Sequence, residues 1–570
     1  MSQLKPQPLA KQTQQILGEL AKEITASLTL KQQIGQLFML HLPLKPSNTT
    51  YKKIQPGGVF IDFRNGFGKA KNGFFRQDYH KLVKHLKKLN SYYLDNNIPS
   101  PLYTIDQEGG YHKLRGPATY FPTLMAVGEA VKTSGNRSWA NKVGFYTCHH
   151  LQQAGIQWNL APVTDVQINP QNPVIRTRAF HSDPEFVTEL VAAYLSGHRA
   201  AGCLDSIKHF PGHGDTSKDS HHQLPIVKKK YSRLLKEDLK PFKTIIARNL
   251  ATGVMPAHII YPNFENKPAT FSKYWLTKTL RQKWKFKGLI ITDNLSMRAV
   301  PKFRREKTYH KVGYDALKAG ADVLLLTSGV VTLGRQMVEG ISTRAKSSKK
   351  LRARIAVSVE RIIYHKLFTG TLDRYLERAL KSKKPWANKN QWHINRWLSI
   401  SQKRQADRLQ MKEGLISPTE LNRKIARAAI KTLHGHKNLK KYISSGYNYP
   451  LFTDVNPKSK IYGQLKKEFG KIMPLSSLKT KARKYKKAMV LNTRVNKFRK
   501  GLPSWQRQRP KGHYIFFALP NPYPYGSLKR LLRKKDVLVV PFSKSPESKR
   551  ALVEAVLHRK VPPSATVKVK

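Results

Sequence analysis

Short apolar runs rich in β-branched and aromatic residues recur along the first part of the chain, separated by longer stretches whose apolar positions return every three or four residues. In order they are IGQLFMLHLP (34–43), GGVFIDFRN (57–65), PLYTIDQEGG (101–110), IQWNLAPVTDV (156–166), CLDSIKHF (203–210), TGVMPAHII (252–260), GLIITDNL (288–295) and ADVLLLTSG (321–329). Such runs, bounded by turn residues, predict strands, and the intervening stretches predict amphipathic helices. Eight strands fed by helices imply parallel pairing through right-handed crossovers, so the expected fold class is α/β, with an N-terminal (β/α)8 TIM-type barrel. The helical pattern of LRARIAVSVERIIYHKLF (351–368) would finish it.

A polar connector containing Lys and Trp follows, and the pattern restarts near Asn422 with NRKIARAAIKTL, then apolar runs at 488–494, 513–526 and 537–543. This predicts a smaller C-terminal α/β sandwich domain. The expected layout is a leader at 1–30, a catalytic barrel at 31–370, a linker at 371–421 and the sandwich at 422–570; a chain of 570 residues exceeds what one core usually supports. Neither a signal-peptide block nor a run of about eighteen apolar residues is visible, so a soluble, cytoplasmic protein without a membrane span is expected.

The polar residues fall where these strands end: Arg64 and Asn65, Asp106 and Glu108, Asp165, Lys208 and His209, His258, and Asp293. Barrel enzymes build their sites at the C-terminal ends of the strands. The placement carries weight because acids are scarce, with 34 Asp plus Glu against 104 Lys plus Arg and a formal net charge of +70. A cationic excess of that size attracts polyanions without defining a partner. The basic runs at 228–230, 346–354, 479–487 and 529–535 lack interleaved aromatic modules or finger spacing, and read as solvated faces. The two cysteines, Cys148 and Cys203, lack paired metal or redox spacing and are expected to be reduced, buried thiols.

The densest chemical signal is the Gly- and Pro-rich segment KHFPGHGDTSKDSHHQLP (208–225), which reads as a loop after the fifth strand. Asp219 and His221 lie two residues apart, so an extended loop points both to one side, and an Asp beside a His fixes its tautomer and stabilises its protonated form. Incidental loop histidines, or a metal site from His209, His213, His221 and His222, are the competing readings; no HExxH or compact repeated spacing supports metal. Asp293 stands where a barrel aims a carboxylate at a substrate, although Asp293 or Asn294 could instead cap a helix starting near Ser296. A glycosidase needs one group to attack the anomeric carbon and another to protonate the leaving oxygen, and Asp293 and His221 divide those roles. Asp106, Arg178, Lys208 and His209 could hold sugar hydroxyls and an acetamido carbonyl, or form salt bridges within the barrel mouth.

Taken together, IGQLFML, DQEGG (106–110), NLAPVTDV (159–166), NPVIRTRAF (172–180), the 208–225 segment, VMPAHIIYP (254–262) and ITDNLSM (291–297) resemble glycoside hydrolase family 3, in its β-N-acetylglucosaminidase branch that acts on peptidoglycan fragments. The resemblance implies a covalent glycosyl-enzyme through Asp293, acid/base catalysis by Asp219 and His221, and sugar binding by Asp106, Arg178, Lys208 and His209. It implies no metal and no organic cofactor, and a small GlcNAc-containing substrate, a muropeptide or chitooligosaccharide. The sequence departs from the family pattern at Tyr111 to Arg115, where a substrate-binding Arg115 falls one position late. It departs also at Asn294, where Asp is common, and at Arg176, where a small residue is usual. The rival readings are a polyanion- or nucleic-acid-binding protein on a catalytically retired barrel, and a metal-dependent hydrolase.

Overall fold

The computed structural model describes residues 4, 9–43, 49–62, 76–110, 121–220, 223–300, 309–411, 415–429, six strands beyond that, and 551. Each of the eight windows read as strands contains one: β1 (Phe38–His41), β2 (Gly58–Phe60), β3 (Leu102–Ile105), β4 (Trp158–Asn159), β5 (Ile207–Phe210), β6 (Gly253–Pro256), and, after a short antiparallel ribbon of β7 (Ile260–Tyr261) and β8 (Glu265–Pro268), β9 (Leu289–Ile290) and β10 (Leu324–Leu326). Parallel pairing runs β10-β1-β2-β3-β4 in one sheet and β5-β6-β9 in another. Isolated parallel bridges link the two: Trp158 to Leu204 and Val163 to Lys208 on one side, Ile291 to Val323 on the other. The ring is held there by side chains as well, since the buried Trp158 indole donates to the Asp205 carbonyl and to Ser206 Oγ, each at 3.0 Å.

The strands are buried along their length, β3, β5 and β6 at every position, as expected where helices cover one face and the barrel interior fills the other. The helices begin on local chemistry. Asp183 caps Pro184–Ala200 by accepting from the Phe186 N–H at 2.8 Å, with Pro at the first helical position, and Thr29 and Gln32 form a capping box before Leu30–Gln36. Within the stretch expected to be a leader, helix Lys11–Ser27 buries Ile16, Leu17, Leu20, Ala21 and Ile24, and it packs on helix Lys349–Phe368. The segment read as a connector is also structured: Asp373–Lys381, Pro385–Lys389, Gln391–Gln410 and Pro418–Ala428 are helical, with Trp397 fully buried. Its Lys and Trp content concealed an amphipathic pattern.

Six further strands form a separate sheet: β11 (Lys431–His434), β12 (Leu451–Thr453), β13 (Ile472–Pro474), β14 (Lys487–Asn492), β15 (His513–Ala518) and β16 (Val537–Val540), in the order β11-β16-β15-β14-β12-β13. All neighbours are parallel except β11 with β16. The three apolar runs singled out in this region are β14, β15 and β16. β11, β12 and β13 are three or four residues long and carry no run that marks them.

The expectation of two separate reduced thiols is corrected. Cys148 and Cys203 are buried, but they form a disulfide with Cα atoms 5.7 Å apart. Their 55-residue separation hides the contact. Helices Ser138–Gln153 and Pro184–Ala200 lie side by side, and the turn after the second helix returns Cys203 to the first. Among the described residues no helix is long and apolar enough to cross a membrane.

Candidate active site

The C-terminal ends of the strands converge on a cavity of about 400 Å³. The segment after β3 supplies Asp106 and Glu108, β5 itself carries Lys208 and His209, the loop after β5 brings His213, Asp219 and Ser220, and Asp293 and Asn294 follow β9. Arg178, from the short 3₁₀ turn Arg176–Arg178, completes the polar lining, while Phe60, Val174, Met255, Met297 and Leu325 add apolar wall. Of the residues singled out from the sequence, Asp106, Arg178, Lys208, His209, Asp219 and Asp293 therefore meet in one place. His221 and Arg115 lie outside the described residues.

Two linked networks hold the floor of this cavity. Glu108 accepts both arms of the Arg178 guanidinium, at 2.7 Å from Nε and 2.9 Å from an Nη, and its Oε1 lies 2.5 Å from Lys208 Nζ. Lys208 also donates to Asp106 at 2.8 Å. Burial alone would raise the Glu108 carboxyl, but Arg178 and Lys208 hold it well below the usual range. Burial likewise disfavours the Lys208 ammonium, and Asp106 and Glu108 overcome this and raise it. The salt bridging weighed for Arg178 is thus present, and it locks the guanidinium at the cavity wall.

The second network centres on Asp165, fully buried beyond β4. It accepts from His209 Nδ1 at 2.7 Å, from the His209 backbone N–H at 3.1 Å and from the His213 N–H at 2.6 Å. Burial pushes the Asp165 carboxyl up, and His209 and His213 outweigh that and lower it. This carboxylate fixes the His209 ring so that Nε2 faces Arg178, 3.4 Å from its terminal nitrogen. His213 Nδ1 pairs with Thr216 Oγ1 at 2.8 Å and Nε2 with Ser220 Oγ at 2.9 Å, while burial and neighbouring His209 bring its pKa down to about 4. Both ring nitrogens of His213 are thus engaged in holding the loop that carries Asp219.

The loop's glycines are set by space. Gly212 has φ of 143°, a backbone that L side chains rarely adopt, and a Cβ on Gly214 would sit 1.6 Å from the Val166 carbonyl oxygen. The Lys208–His209 and Phe210–Pro211 peptide bonds are cis. Arg176 has φ of 48°, and its Nε donates to the Asn172 carbonyl at 3.0 Å. A left-handed backbone favours glycine, so the arginine is held there against its Cβ.

The helix expected to start near Ser296 is instead a turn at 295–298, with helix only from Ala299, and Asn294 rather than Asp293 holds that turn. Asn294 Oδ1 accepts from the Ser296 N–H at 3.1 Å, from Ser296 Oγ at 2.8 Å and from the Thr327 N–H at 3.1 Å. Asp293 accepts the Asn294 N–H at 2.7 Å and lines the cavity. Glu108, Asp165 and His213 were visible as strand-end or loop polar residues, but nothing in their spacing disclosed which partner each would orient.

An eight-stranded parallel ring whose strand-end loops gather carboxylates and cations around one cavity is the architecture that barrel enzymes use. Residues 29–364 match the model of the glycosyl hydrolase family 3 N-terminal domain, and the chain belongs to that family. A segment of 236 residues is 36% identical to a β-hexosaminidase of Nitrosospira multiformis, covering 40% of this chain and 65% of that protein. Another, of 226 residues, is 34% identical to a β-hexosaminidase of Haemophilus influenzae, covering 40% of this chain and 63% of that one. These matches span slightly less than two thirds of either relative. The structure of a glycoside hydrolase family 3 β-N-acetylglucosaminidase from Paenibacillus sp. superposes with a TM-score of 0.70 at 23% identity, over 95% of this chain and all of the other, a likeness of fold.

Proposed function

We propose that the protein is a retaining exo-β-N-acetylhexosaminidase that releases terminal β-linked N-acetylglucosamine. The observation that carries this reading is that Asp219 and Asp293, from loops after different strands, line one cavity whose polar wall also includes Asp106, Glu108, Arg178, Lys208 and His209. Asp293 Oδ attacks C1 as the C1–O bond to the aglycone breaks, and His221, oriented by Asp219, gives its proton to the departing oxygen. His221 then takes a proton from water, whose oxygen displaces Asp293 and leaves the anomeric configuration retained. Arg178, Lys208 and His209 supply donors and Asp106 an acceptor for hydroxyls and the acetamido group. Muropeptides in the cytoplasm are the substrates proposed, because a chain of net charge +70 draws lactyl and peptide carboxylates toward it.

The test compares aryl β-GlcNAc with aryl β-glucoside, with and without EDTA, followed by mass spectrometry of the quenched enzyme. Turnover of the first substrate alone, resistant to chelator and accompanied by a glycosyl adduct on the peptide containing Asp293, is expected. Preference for the glucoside, loss of activity with EDTA, or salt-steep nucleic-acid binding without any turnover would each reject the reading in favour of a different one.

A further inference from the structure

The only two cysteines of the chain meet a histidine, and none of the three lines the cavity. Cys148 lies on helix Ser138–Gln153, His198 on helix Pro184–Ala200, and Cys203 in the turn that leads into β5. One donor atom from each falls within 4.8 Å of the others, and all three residues have no exposure to solvent. His198 is the informative member. Neither ring nitrogen has a hydrogen-bond partner, although the ring is fully buried and stacked on Tyr194 with centroids 5.7 Å apart. A buried imidazole without a partner for either nitrogen is costly and uncommon, and it calls for a ligand.

We propose that, when the two sulfurs are reduced, Cys148, His198 and Cys203 bind one divalent, zinc-like cation that ties the two helices to the start of β5. A dithiol reductant supplies two electrons and two protons to open the Cys148–Cys203 bond to two thiols. Binding of the cation then releases those two protons and forms two metal–thiolate bonds and one metal–nitrogen bond. A tetrahedral zinc site with metal–sulfur bonds of about 2.3 Å and a metal–nitrogen bond of about 2.0 Å needs donor separations of roughly 3.5 to 3.8 Å. These lie inside the 4.8 Å already shared by the three atoms. The charge selects the ion: two thiolates neutralise a divalent cation, whereas a monovalent one would leave a net negative charge in a fully buried place. The disulfide and the metal dithiolate are thus alternative closed states of one pair, chosen by the redox conditions in which the chain folds.

The experiment uses the full chain, produced in zinc-supplemented cells and purified anaerobically with a non-coordinating reductant. Elemental analysis should find one zinc per chain, lost in H198Q and in C148S/C203S and retained in D293N. Replacement of zinc by Co²⁺ in the unmutated protein should give a thiolate-to-metal charge-transfer band, which reads ligation without relying on any variant's folding. Isolation of the cystine form without zinc under those conditions, zinc retained by both variants, or a cobalt spectrum lacking the thiolate band would overturn the site.

Discussion

The two ends of the barrel bury charge in different ways. At the C-terminal end, Glu108 and Asp165 are matched by Arg178, Lys208 and His209, and the network stops at a cavity into which Asp219 and Asp293 also face. At the N-terminal end, just before β10, the fully buried Asp322 meets three guanidinium groups, those of Arg281, Arg354 and Arg361, and accepts from Ser358 Oγ at 2.7 Å and the Ile290 N–H at 3.0 Å. Burial would raise Asp322, but the arginines and the Ile290 N–H bring it down to about 2. Both clusters consist of scarce carboxylates satisfied by abundant cations. Asp106, Glu108, Asp219 and Asp293 line the cavity at the first, whereas Arg361 but not Asp322 lines the cavity of about 550 Å³ beside the second, so the grouped carboxylates open to a substrate belong to the first.

The strongest way to break this contrast is to remove one carboxylate at each end. Asp293→Ala should reduce kcat for an aryl β-GlcNAc on the order of 10⁴-fold while leaving the denaturant midpoint unchanged. A variant that turns over normally would sink the assignment of Asp293. Asp322→Ala should do the opposite. Three partly buried guanidinium groups lose their shared counter-charge, at a cost of up to about 3 kcal/mol, read as a lower urea midpoint with kcat intact in the fraction that remains folded. Reduced kcat at unchanged stability in this variant would show that the two ends are not independent.

The contrast also separates what a sequence carries locally from what only the fold creates. The strands were legible because each is a short apolar run closed by turn residues, and Asp106, Lys208, His209 and Asp293 were legible because they stand where such runs stop. The work of Glu108, Asp165 and Asp322 was not, because an ion pair is a property of two segments, and Arg178 lies 70 residues from Glu108. The disulfide escaped for the same reason, and the helices at 373–410 because the apolar stripe is thin within a basic sequence. Arg176 is a different case: in the sequence it is only an added cation, and its left-handed backbone emerges only in the fold.

Asp165→Asn sharpens the active end. The side chain still fits, but it loses the negative charge that orients His209, so kcat/KM should fall about 10- to 100-fold. The loss should be larger in KM than in kcat if His209 positions sugar and takes no part in proton transfer. A pH profile shifted relative to the parent enzyme would instead make His209 a proton carrier. Acid titration separates the two ends again. Asp322 has a folded pKa near 2, below its ordinary 3.8. Its stabilising contribution is therefore complete above about pH 4 and is lost as pH falls toward 2, because the unfolded chain then binds the proton first. Asp322→Asn should flatten the decline of stability across that window, measured by urea unfolding at each pH, and an unaltered slope would assign the decline to other carboxylates.

The smallest effect concerns the field around the whole molecule. With a net charge of +70, attraction of an anionic muropeptide toward the cavity should be screened as the Debye length shrinks from about 10 Å at 0.1 M salt to about 3 Å at 1 M. Attraction of a neutral chitobioside should not be. The ratio of kcat/KM for the anionic substrate to that for the neutral one should therefore fall about two- to fivefold over that range, with the change carried by KM. Equal salt dependence would mean that the charge serves something other than substrate capture. A ratio that falls in the parent enzyme but not after Arg176→Gly would trace the attraction to the one cation that the family pattern does not provide at that turn.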